Sequence, residues 1–164
     1  KVQMLDQLND EGIIDNFQVQ LYKLIEFLAG NNFHTKVQCL YLSYDYYYHF
    51  KGIFHGYGKQ NYPIVEVPRY ISSEYDYTNE VFGYFEGINF DQAWINCEEF
   101  EWISDYFDLN FDLEKLFILH SRVLLHKALR KMEESDKLKL LLIRPFCFYI
   151  SQHDCEEMSL YWLE

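Results

Sequence analysis

The sequence predicts an α+β fold: a small, mainly antiparallel sheet packed on one side by about three main helices. Apolar residues recur at helical spacing near 16–29, 91–107 and 112–132, and the stretches between them are rich in tyrosine, phenylalanine and β-branched residues. No internal repeat and no linker rich in Pro, Gly or Ser interrupts the chain, so residues 1–164 read as a single globular domain. A domain of this length buries roughly 68–70% of the surface its unfolded chain exposes, enough for a core without staples.

Taken in order, Phe17, Leu21, Leu24, Ile25 and Leu28 line one helical face and predict a helix over 16–29, stopped by "GNN". In "KVQCLYLSYDYYYHF" the even positions Leu40, Leu42, Tyr44, Tyr46 and Tyr48 fall on one side of an extended chain, which predicts a strand, although Val37, Leu40, Tyr41, Tyr44 and Tyr48 also fit one face of a helix. The glycines of "KGIFHGYGKQNYP" mark a turn region, "IVEVPRYI" reads as an edge strand because of Pro68, and "EVFGYFEG" is a third strand candidate. Asp112 is placed as the N-cap of a helix to Met132, with Leu113, Leu116, Phe117, His120, Val123 and Leu124 on one face. "KLKLLLIRPFCFYI" is expected as the last strand, broken or bulged at Pro145.

Charge is distributed unevenly. The chain has 26 acidic and 14 basic residues, yet from Tyr70 to Glu114 there are twelve acids and no lysine or arginine. Outside that segment 14 acids face 14 bases, so one contiguous quarter of the chain carries the whole net charge of −12. A field of one sign repels nucleic acid and anionic membranes and attracts basic surfaces. With 49% hydrophobic and 20% aromatic residues, the chain is no disordered acidic tail. No run of eighteen apolar residues offers a membrane span. The start, "KVQMLDQLND", has no apolar signal core, and Cys39, Cys97, Cys147 and Cys155 lack CxxC spacing. Reduced thiols and a cytoplasmic location are the expectation.

Read as a helix from Asp91, the acidic segment puts Trp94, Glu98, Glu101, Asp105 and Asp108 between about 260° and 340°, with Ile95, Trp102, Ile103, Tyr106 and Phe107 opposite. Like charges at spacings of three and four are neighbours, and each pair destabilises the helix by about 0.2–0.5 kcal/mol. A cationic partner relieves that repulsion. Trp94, Glu98, Glu101, Asp105 and Asp108, joined by Tyr75, Asp76 and Tyr77 at the start of the segment, are the candidate partner-binding residues, with the Trp94 ring as anchor. Glu99 falls amid the apolar face, where local bending, snorkelling or a buried partner accounts for it, a catalytic acid or base being the alternative.

Catalytic and metal-binding constellations are not assembled. His120 and His126 lie about 240° apart on a helix and cannot share a metal from one face; His120 reads as a hydrogen-bonded core histidine. His153, Asp154, Cys155 and Glu156 are metal-binding types without a second converging segment. No G-x-S-x-G, glycine-rich phosphate loop or H-E-x-x-H occurs, so neither an enzyme nor a cofactor is predicted. "DYYYHF" at 45–50 fits alternating strand tyrosines more simply than a ligand platform.

In its compactness, its acidity and its acidic aromatic segment the chain resembles the immunity proteins of bacterial toxin systems, small cytoplasmic proteins that neutralise a secreted or contact-delivered toxin. That resemblance implies a basic protein partner, a cognate toxin domain; many toxins of that kind are nucleases, whose phosphate-binding cleft a carboxylate stripe can occupy. A nucleic-acid mimic acting on a DNA- or RNA-binding protein, and a small hydrolase whose site assembles only in three dimensions, are the alternatives.

Overall fold

The computed structural model describes residues 9–35, 37–45, 51–58, 84–85, 107–152 and 158–164. Helix α1 spans Asp10–Gly30 and begins six residues before the expected start at Asn16. Asn9 supplies the cap, its side chain accepting the Gly12 N–H at 3.1 Å, and Asp10 and Glu11 in the first turn complement the helix dipole. The chain leaves α1 through Asn32 at φ 59°, a left-handed conformation that asparagine tolerates, into a 3-10 turn at Phe33–Thr35.

Among the described residues five strands follow the order β3-β2-β1-β4-β5, where β1 is Val37–Asp45, β2 Lys51–Gly58, β3 Tyr84–Phe85, β4 Phe146–Gln152 and β5 Met158–Leu163. Three of the four pairings are antiparallel, and β1 with β4 at the centre is parallel. The fold is α+β with a mainly antiparallel sheet.

Alternation along the central strands separates two buried faces. Leu40, Leu42 and Tyr44 of β1 and Phe146, Phe148 and Ile150 of β4 join the main core, and Cys39, Tyr41, Cys147 and Tyr149 pack on the other side with Trp162. Gln38 is the extra residue of a bulge, so Val37 returns to the face of Leu40. Its side-chain amide donates to the Pro145 carbonyl at 3.2 Å and ties β1 to the entrance of β4.

Helix α2, Phe107–Glu134, lies with α1 against the main core. From α1 come Ile14, Phe17, Leu21, Leu24, Ile25 and Leu28; from α2 come Leu124, Leu125, Ala128, Leu129 and Met132. Burying each aliphatic side chain contributes about 1.5–3 kcal/mol before ordering entropy is subtracted.

Several expectations are corrected. Asp112 is not an N-cap: α2 begins at Phe107 and Asp112 lies inside it. The buried face of α2 is rotated from the predicted one, since Leu116 and Val123 are exposed while Ser121, Leu125, Ala128, Leu129 and Met132 are buried. Residues 51–58 form a strand rather than a turn region. Lys137–Leu140 is a 3-10 turn, entered through Asp136 at φ 62°, and β4 begins only after Pro145. It is followed by β5, so "KLKLLLIRPFCFYI" does not hold the last strand. Two main helices are present among the described residues; the one expected near 91–107 falls outside them apart from Phe107, as does the edge strand near 64–70.

Candidate functional site

Asp108 is the one predicted partner-binding residue whose backbone is described, and it lies within α2. Tyr75, Asp76, Tyr77, Trp94, Glu98, Glu101 and Asp105 lie outside the described residues, and so do Glu99, the cluster His153 to Glu156, and the tyrosines at 46–48.

The cations that follow the acidic segment are described in detail. Lys131 Nζ lies 2.6 Å from Glu11 Oε2, Arg130 Nε lies 3.1 Å from Glu134 Oε1, and Lys139 Nζ lies 2.8 Å from Asp136 Oδ1. The bond to Glu11 raises the Lys131 pKa by favouring the ammonium. Arg122 donates to the Tyr44 hydroxyl and lies over its ring, with 5.5 Å from guanidinium to centroid. Lys137 sits over the Tyr22 ring at 5.9 Å. The acids of these three ion pairs are Glu11 of α1, Glu134 at the end of α2 and Asp136 just after it, none of them within residues 70–114.

His120 and His126 face apart, in agreement with their spacing. Nε2 of the half-buried His120 lies 2.8 Å from Asp10 Oδ1, and His126 packs edge-on against Tyr161 at 5.1 Å. The Tyr161 hydroxyl donates to Glu133, and burial, then the bond and charge of that carboxylate, push its pKa up to about 12.

On the second face of the sheet, Cys39 and Cys147 are register partners on adjacent strands, both fully buried and neither in a disulfide. Burial, followed by proximity to Cys147, raises the Cys39 pKa well above the usual thiol range. Such a thiol is neutral and a poor nucleophile. His55 stacks on Tyr41 beside this pair at 5.8 Å. Among the described residues no three His, Cys, Asp or Glu side chains converge as a metal site, and no helix is long and apolar enough to cross a membrane.

One surface escaped the sequence reading. Leu116, Leu119 and Val123 are 38%, 53% and 50% exposed, a stripe at helical spacing on the outer side of α2. The signal was present, since residues 115–132 contain five lysines and arginines and no acid, a basic face more typical of a surface than of a core stripe.

No protein-family model, no curated protein and no solved structure matches this chain.

Proposed function

We propose that this protein is an acidic protein-binding inhibitor, an immunity protein that neutralises a basic toxin domain through the segment 70–114. The observation that supports this reading is where three of the described cations spend their charge. Arg130, Lys131 and Lys139 are bonded to Glu134, Glu11 and Asp136, carboxylates that belong to the balanced remainder of the chain. Charge neutralised within that remainder is not offset against the twelve acids of 70–114. A surface of that sign steers a basic partner toward it and takes the place of phosphates in a cationic cleft. Trp94, Glu98, Glu101, Asp105 and Asp108 carry the contact in this reading, with Tyr75, Asp76 and Tyr77 at its margin.

The test is functional. The chain is co-expressed with each toxin-like protein found encoded beside its gene, and growth is measured with and without charge reversal at Glu98, Glu101 and Asp105. Protection by the native chain and its loss on reversal support the proposal. Unprotected growth, or protection that survives the reversal, rejects it.

A further inference from the structure

The outer face of α2 carries charge of both signs in a definite order. The buried side of the helix, Ser121, Leu124, Leu125, Ala128, Leu129 and Met132, is directed inward. Leu116, Leu119 and Val123 are exposed on the opposite side, and their spacing of three and four makes one continuous stripe. At about 100° per residue the same line passes through Asp112 toward the N-terminal end and through Arg130 toward the C-terminal end, with Lys127 at its margin. The midpoint of the stripe falls between Leu119 and His120. Asp112 and Lys127 are equally far from it, about 11 Å along the axis at a rise of about 1.5 Å per residue. Arg130 is paired with Glu134, Lys131 with Glu11, and Glu133 accepts the Tyr161 hydroxyl. Lys127 is exposed and makes no ion pair among the described residues, which leaves it as the cation available at that end.

We infer that this face is a contact between two copies of the chain. The two α2 helices cross antiparallel about the midpoint of the stripe, so that Leu116, Leu119 and Val123 of one copy cover those of the other and Asp112 of each lies opposite Lys127 of the other. The order of the charges selects this occupant. An acidic partner would satisfy Lys127 and oppose Asp112, a basic one would do the reverse, and a parallel copy would set like charges together. An anionic membrane is opposed by Asp112 and by the net charge of −12. Repulsion between two chains of that charge acts at long range, and at about 0.15 M salt, where the Debye length is about 8 Å, it is screened more than ion pairs in contact are. Three aliphatic side chains from each copy make a small interface, so the dimer is of the transient kind, with a dissociation constant on the order of 100 μM.

Sedimentation equilibrium of the full chain in about 0.15 M salt, over about 10 μM to 1 mM protein, is the test. The native chain should sediment as a monomer in equilibrium with a dimer. Leu119→Ser with Val123→Ser should weaken the dimer by about tenfold or more. Asp112→Lys and Lys127→Asp should each weaken it several-fold. An equimolar mixture of these two variants should associate about as tightly as the native chain, because each then meets the opposite charge on its neighbour. No change of fold within one chain can produce that recovery, and an unchanged denaturation midpoint in dilute solution confirms that the variants fold. A chain that stays monomeric at about 1 mM, which would leave the stripe to another protein, overturns the inference. So does a dimer indifferent to the serine substitutions, or a mixture that associates no more tightly than its components.

Discussion

Asp10 Oδ1 and His120 Nε2 lie 2.8 Å apart, joining the first turn of α1 to α2 across 110 positions of sequence. Together with the bond from Lys131 to Glu11, this contact fixes the N-terminal end of α1 against α2 at two points. A double-mutant cycle on Asp10→Ala and His120→Ala should give a coupling of about 0.5–1.5 kcal/mol in urea denaturation. Additive single effects would mean that the bond contributes nothing to stability.

The orientation of α2 can be tested by two truncations. Leu129→Ala opens a cavity in the main core and should cost about 2–5 kcal/mol, whereas Val123→Ala on the exposed side should stay within about 0.5 kcal/mol. Equal losses, or the reverse order, would put the sequence-derived face of the helix back in the core.

Tyr161 should ionise late. Its pKa of about 12 in the fold lies above tyrosine's ordinary value of 10.0, so the stability it contributes is fully present below about pH 10 and is lost as pH rises through 12. The difference in absorbance titration between the native chain and Tyr161→Phe should show one group titrating near 12. A group titrating near 10 would show that the bond to Glu133 is not made in solution.

Cys39 and Cys147 should be inert in the native state. In a variant with Cys97 and Cys155 replaced by serine, a disulfide reagent at pH 8 should label neither thiol until denaturant is added, since both are buried and Cys39 is held neutral. Rapid labelling without denaturant would show that the second face of the sheet opens readily.

The parts of the fold that were legible in the sequence are those where one face is apolar and the other is not. All five residues of the predicted α1 stripe are buried, as are Leu40, Leu42 and Tyr44 of β1. The start of α1 was missed because its first turn is held by a cap and acidic residues around Gly12, which add little to the apolar period. Strand β2 was hidden by its glycines. A Cβ on Gly52 would lie 2.6 Å from the Ser43 carbonyl oxygen and 2.7 Å from Leu42 Cδ1, so this glycine marks close approach to β1 and not a turn. Helix α2 is apolar nearly all round between Leu113 and Leu119, which leaves its inward face undetermined by periodicity alone. Of the candidate site, the concentration of charge was legible and its geometry was not, because like charges repel one another without specifying what they meet.

The central claim, that the acids of 70–114 form the partner surface, is tested most directly by the association rate with the toxin-like partner as a function of salt. The account predicts a rate approaching roughly 10⁸ M⁻¹s⁻¹ at low ionic strength, falling steeply as the Debye length shrinks to about 10 Å at 0.1 M. Binding should be abolished in the Glu98→Lys, Glu101→Lys, Asp105→Lys variant and intact after reversal of Glu133 and Glu134. A rate that does not change with salt, together with unchanged binding by the triple variant, would contradict it.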